Sequence, residues 1–125
     1  MAAQEYPRKT LLGYLDYRPV DDITNRQIME FSLILAALFL LDILTTQIIL
    51  RLGGIELNPV MAGIVTSPLL HFAIKAGTLI LIILVSLVAE IQVRGSSIAF
   101  YCILITLYLF VIVNNTFVLI PQIVE

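Results

Sequence analysis

A chain of 125 residues that is 60% hydrophobic and only 13% charged departs far from soluble domains, which run at roughly 45–50% and about 25%. It has room for one helical bundle and for no second domain large enough to fold alone. A net charge of −2 with no run of Lys or Arg excludes a basic surface for nucleic acid.

The predicted fold is all-α: an integral membrane protein with three transmembrane helices and a short re-entrant or interfacial helix between the first and second. Residues 1–27 read as a cytoplasmic or interfacial N-terminal segment. There Tyr6, Tyr14 and Tyr17, with Leu11, Leu12 and Leu15, give the aromatic and aliphatic mix of an interface anchor or of a docking segment for a partner subunit. Residues 28–125 form the three-helix domain, with spans predicted over about 28–51, 68–93 and 98–120.

Asp21, Asp22, Thr24 and Asn25 stand where the first helix should be capped, and Arg51 with Gly53-Gly54 should stop it. The long polar region before this segment, its bilayer-spanning length and the lack of a small-x-small site after it predict a retained span rather than a cleaved signal. Asn58-Pro59 is a cap followed by proline and predicts a short helix over about 60–66, too short at about 1.5 Å per residue to cross a bilayer. Ser67-Pro68 repeats that signature at the start of the second span, which Arg94-Gly95 should end. The third span should follow Ser96-Ser97 and stop before Pro121. Cys102, the single cysteine, reads as a small buried thiol.

Positive charge sets the expected orientation. Arg8, Lys9, Arg18 and Arg26 precede the first span, Arg94 lies between the second and third, and Arg51 alone falls on the other side. The expected location is the cell membrane, multi-pass, with the N-terminus cytoplasmic and the C-terminus outside.

Inside the apolar segments sit Asp42, His71, Lys75, Asn114 and Asn115. An ionisable side chain in hydrocarbon costs roughly 2.5–3.5 kcal/mol on insertion scales, so each marks a site by default. Counted from the outer helix ends, Asp42, His71, Lys75 and Asn114 all fall in the outer half, while the inner half reads as nearly pure Leu, Ile, Val, Phe and Ala with Glu30 near the cytoplasmic interface. Asp42, Thr45 and Thr46 share one helix face; so do His71 and Lys75, and so do Tyr108 and Asn115. One outward-open polar cluster of Asp42, Thr45, Thr46, Glu56, Asn58, His71, Lys75, Asn114 and Asn115 is the expectation, with Asp42 and Lys75 as a buried ion pair. His71, near the outer interface, reads as a half-wet imidazole, and Ala73 with Gly77 as a small-residue packing seam.

Two uses of that cluster stand side by side: an ion or proton pathway in a homo-oligomer, and an ordered polar core in an accessory subunit of a larger membrane complex. A third, weaker, is a metal-dependent intramembrane hydrolase with Asp42, Glu56 and His71 as ligands, against which the Lys75 cation counts. The chain has no HExxH, GxSxG, P-loop, paired-cysteine or glycine-rich nucleotide motif, so no cofactor is expected and enzymatic activity is the lesser expectation. Membrane lipid and further copies or subunits are the expected partners.

Asp42-x-x-Thr45-Thr46, Gly53-Gly54-x-Glu56-x-Asn58-Pro59 and a lysine, Lys75, within an apolar helix resemble a family of small prokaryotic multi-span membrane proteins catalogued as a domain of unknown function. The resemblance covers roughly residues 41–77 and the three-span layout. It implies that these residues form a shared core and implies no activity.

Overall fold

The computed structural model describes residues 20–124. The N-terminal aromatic segment and the basic residues Arg8, Lys9 and Arg18 lie outside them. Four helices follow in order: α1 (Asp22–Arg51), α2 (Pro59–Val65), α3 (Pro68–Gln92) and α4 (Ser96–Val124). The described chain is all-α, and α1, α3 and α4 are long and apolar enough to cross a membrane. The 30 residues of α1 extend roughly 45 Å, more than a hydrocarbon core of about 30 Å.

α1 starts at Asp22, upstream of the apolar run that opens at residue 28. Hydropathy marks where hydrocarbon begins, whereas the helix begins where its first amides find an acceptor. Asp21 supplies it, accepting from the Thr24 N–H at 2.7 Å. Hydrogen bonding from the Thr24 side chain, then from its backbone N–H, holds the Asp21 carboxyl below its ordinary value. The cap's contribution is therefore complete above about pH 3.9, the unfolded carboxyl's value, and is lost as pH falls through the lower folded value. The Thr24 amide resonance should report this as a shift with its midpoint below about 3.9, and Asp21→Asn should abolish it.

The C-terminus of α1 closes as a Schellman turn. Gly54 N–H donates to the Ile49 carbonyl at 2.9 Å and Gly53 N–H to the Leu50 carbonyl at 3.2 Å, with Gly53 at φ +90°. A Cβ on Gly54 would overlap the Ile49 side chain and lie 2.9 Å from its carbonyl oxygen, so Gly53-Gly54 is needed for both the left-handed turn and the close approach. Asn58 then caps α2 by accepting from Val60 N–H at 3.0 Å, and Ser67 caps α3 through Leu70 N–H at 3.4 Å.

α4 runs through Pro121 to Val124, so the proline does not end it. Proline removes only the bond to the carbonyl four residues back, and here it lies in the last turn, where few further bonds remain to be lost. Cys102 is exposed on α4, not buried: Tyr101 beside it takes the inward position. Ala73 and Gly77 also face outward, and a Cβ at Gly77 would meet nothing within 4 Å, so the expected small-residue seam is not used among the described residues.

α1 packs most extensively on α4, next on α3. Its inward residues Ile28, Ser32, Leu35, Phe39 and Asp42 recur at alternating steps of four and three, the repeat that keeps one face against neighbouring helices. Leu35, Phe39 and Ile82 fill the middle of the core, with Leu104 and Ile105 packed against it. Many large apolar side chains on the outer faces, such as Phe110 at 72% and Phe117 at 71% exposure, have no partner within the described residues. These are the surfaces that lipid tails or other apolar helices would cover.

Candidate functional site

The polar side chains gather in two layers of the bundle, separated by that apolar middle. The first layer lies toward the α1 C-terminus and the α3 N-terminus. Lys75 Nζ sits 2.8 Å from Asp42 Oδ2, with side chains 12% and 8% exposed. Lys75 also donates to Tyr108 Oη at 3.1 Å and rides over two rings, 5.1 Å from the Phe39 centroid and 4.7 Å from that of Tyr108. A carboxylate, a phenol and two π faces thus replace the water this ammonium gives up.

α4 reaches the same group through Asn115. Its Nδ2 donates to Thr45 Oγ1 at 3.1 Å and, at a long 3.4 Å, to Asp42 Oδ1. The Thr45 hydroxyl is already turned back onto its own helix, donating to the Leu41 carbonyl at 2.9 Å, which leaves its lone pair for Asn115. Asp42 thereby ties three helices: its own, α3 through Lys75 and α4 through Asn115.

Beside the pair is a cavity of about 410 Å³ lined by Asp42, Thr46, Glu56, Asn58, His71, Lys75 and Asn115, together with Met61, Tyr108 and Val111. A neighbouring cavity of about 230 Å³ is lined by Thr46, Glu56, Asn114 and Asn115 among others, and it is there that Asn114, otherwise exposed, contributes. All nine residues singled out from the sequence thus fall on one end of the bundle. They do not form one continuous network. Glu56 Oε1 accepts from Asn58 N–H at 2.9 Å, a bond local to the connection, and Asn58 spends its own side-chain oxygen on the α2 cap.

His71 departs from expectation. It is 1% exposed rather than half-wet, and neither ring nitrogen has a hydrogen-bond partner. Its Nε2 stands 4.0 Å from Asp42 Oδ2, outside hydrogen-bond range. Within the otherwise exposed first turn of α3, His71 points inward, and Glu56, Asn58 and Met61 from the α1–α2 connection and α2 wall the cavity that it also lines. Gln47, which the sequence did not single out, fastens α2 in place, donating from Nε2 to the Val65 carbonyl at 2.8 Å. That carbonyl is one of the last in α2, where no intrahelical donor remains.

The metal reading of Asp42, Glu56 and His71 is not supported by their geometry. Among the described residues no three His, Cys, Asp or Glu side chains come together as a ligand set. The Asp42 oxygens face Lys75 and Asn115.

The second polar layer was not anticipated, because the opposite half of the bundle read as apolar apart from Glu30. Glu30 is surface-exposed and pairs with Arg26 at 2.9 Å. Buried instead are Ser32, Ser86, Glu90, Ser97 and Tyr101. Ser32 and Ser86 lie on either side of Tyr101 Oη at 2.6 and 3.4 Å, and each serine hydroxyl also turns to a carbonyl of its own helix. Glu90 receives Gly95 N–H at 2.8 Å, Ser97 N–H at 3.1 Å and Ser97 Oγ at 2.6 Å. Gly95 has no side chain with which to cap α4, so a carboxylate from the last turn of α3 does it. The available signal was an acid five residues before a glycine and seven before a serine at a helix break. Each of these five side chains is hydrogen-bonded, unlike His71, although the neighbouring Ser96 Oγ is buried without a partner.

The family model described as Domain of unknown function (DUF5658) matches residues 33–121. That stretch contains every residue of the Asp42–Lys75 layer. No curated protein and no solved structure matches the chain.

Proposed function

We propose, for a chain that belongs to the DUF5658 family, a domain of unknown function, the role of a small integral membrane protein whose polar cavity is part of an ion or proton pathway. The observation that carries the reading is the Asp42–Lys75 pair at 2.8 Å, deep in an apolar bundle and opening onto a cavity with Glu56 and His71. Ionisable groups at such depth carry an energetic penalty that a purely apolar core would avoid, and cavities of this kind are where membrane proteins move charge. Three spans enclose too little for a complete route, so a second copy or a partner subunit supplies the rest. The broad exposed apolar faces, including the open side of Gly77, support such a neighbour.

In this reading the N-terminus is cytoplasmic and the C-terminus outside, following the excess of Lys and Arg before α1 and the lone Arg51 at its far end. The cavity then opens to the outer face. α2 lies at the outer interface or dips into it, which is allowed for so short a helix because Gln47 and the α3 N-terminus shelter its backbone.

The accessory-subunit reading rests on a different observation, the Tyr101–Ser32–Ser86 and Glu90–Ser97 groups, which are closed and fully bonded as a purely structural core would be. Flux separates the two. Purified protein in liposomes should carry proton or sodium flux that falls to background in Asp42→Asn, with helical circular dichroism unchanged. Equal flux in the variant, or none in the wild type, removes the pathway reading and leaves the accessory one.

A further inference from the structure

His71 is 1% exposed, lines the cavity, and has a partner on neither ring nitrogen. A neutral imidazole carries one donor and one acceptor, and a buried polar group left unpaired is costly. Its position is that of a group meant to bind what enters the cavity.

The sign of that ligand follows from the charges. Asp42 and Lys75 cancel at 2.8 Å. Glu56 remains, and no cation among the described residues pairs with it. The titratable groups facing His71 are Asp42 from α1, Glu56 from the connection, Lys75 on its own helix and Tyr108 from α4, and α2 contributes none. With the imidazole neutral, the cavity carries one net negative charge; with it protonated, none. A bound cation and a proton on His71 therefore balance the same charge and exclude each other.

The class follows from size and lining. A volume of about 410 Å³ is on the scale of small-molecule sites and far exceeds the room needed by a single water. Met61, Val111 and the Tyr108 ring give it apolar walls, while the Glu56 carboxylate, the Asn115 carbonyl and a neutral imidazole nitrogen all accept N–H bonds. A bare metal cation would leave those walls unused. A small alkylammonium uses both.

We propose that this cavity binds a small primary ammonium ion in exchange for the proton on His71. The proton leaves the imidazole for water as the ammonium enters, no other bond changes, and the cavity stays neutral throughout. As a transport step the exchange rests on the pathway reading above; as binding it does not.

His71 is the only histidine in the chain, so its ring nitrogens give unique resonances. The test uses the full chain in lipid nanodiscs with ¹⁵N-labelled histidine, titrated with methylammonium chloride or with sodium chloride at equal ionic strength. Methylammonium should give a saturable His71 shift that sodium does not. Its apparent affinity should fall about tenfold per pH unit once the imidazole protonates, as competition with one proton requires. Glu56→Gln should lose the binding with helix content intact, and His71→Gln, which removes one acceptor, should weaken it several-fold by calorimetry and leave what remains without the pH dependence. Equal shifts with both salts, pH-independent binding, or no shift overturns the proposal. Proton or sodium flux that needs Asp42, without a methylammonium shift, overturns this exchange while the pathway stands. A methylammonium shift in a protein that carries no flux supports the site while the pathway reading fails.

Discussion

Lys75→Met with Asp42 left in place is expected to destabilise the bundle by about 3–5 kcal/mol. The reason is what remains behind: a carboxylate 8% exposed in an apolar interior, with only a long bond from Asn115 to stabilise it. Asp42→Leu leaves the converse problem, an ammonium held by Tyr108 and two ring faces, and should cost somewhat less because those partners persist. The double variant Asp42→Leu with Lys75→Met removes both charges and should recover to within about 1 kcal/mol of the wild type, since an apolar pair of similar volume carries no desolvation cost. Unfolding in mixed micelles, followed by far-UV circular dichroism, measures all three. Single variants within error of the wild type, or a double variant as unstable as the singles, would show that the two charges are not coupled in the folded protein. The double variant also separates structure from function: folded protein without flux assigns the charges to the pathway, and folded protein with full flux assigns them to helix registry.

The second large effect belongs to the opposite end. Glu90→Ala should cost about 3 kcal/mol, because hydrogen bonds to a charged group contribute roughly 1.5–3 kcal/mol each and do not add in full. Three donors lose their acceptor at once, and one of them, the Ser97 hydroxyl, is fully buried. Glu90→Gln keeps an amide oxygen for one or two of the three and should lose roughly half as much. The same unfolding measurement applies, and the Gly95 and Ser97 amides should lose hydrogen-exchange protection in Glu90→Ala alone. A Glu90→Ala protein of unchanged stability with both amides still protected would mean that α4 starts without this carboxylate.

Long-range pairing explains which parts of the site were legible. Asp42, Thr45 and Lys75 declared themselves because charges and hydroxyls in an apolar run break a one-dimensional pattern, and the depth argument put Asp42 and Lys75 level with each other, as they are. Asn115 was legible for the same reason, although its choice of Thr45 over Lys75 was not. Glu90, Ser86, Ser97 and Gln47 were missed because a serine or a glutamate near a helix end looks solvated in sequence. Only the packing of α3 with α1 and α4 shows that Ser86, Glu90 and Ser97 are inside, and only the return of α2 gives Gln47 its partner.

The sequence alone determined the number of apolar helices, the Asn58 and Ser67 caps, the turn at Gly53-Gly54 and the burial of a charge pair, since each depends on neighbours within a few residues or on the cost of charge in hydrocarbon. Tertiary structure decided the rest. It let α4 continue past Pro121, turned Cys102 and Gly77 outward, enclosed His71 and gave Glu90 to the next helix. These outcomes depend on which faces three helices present to one another, and helical periodicity defines a face without saying what will be packed against it.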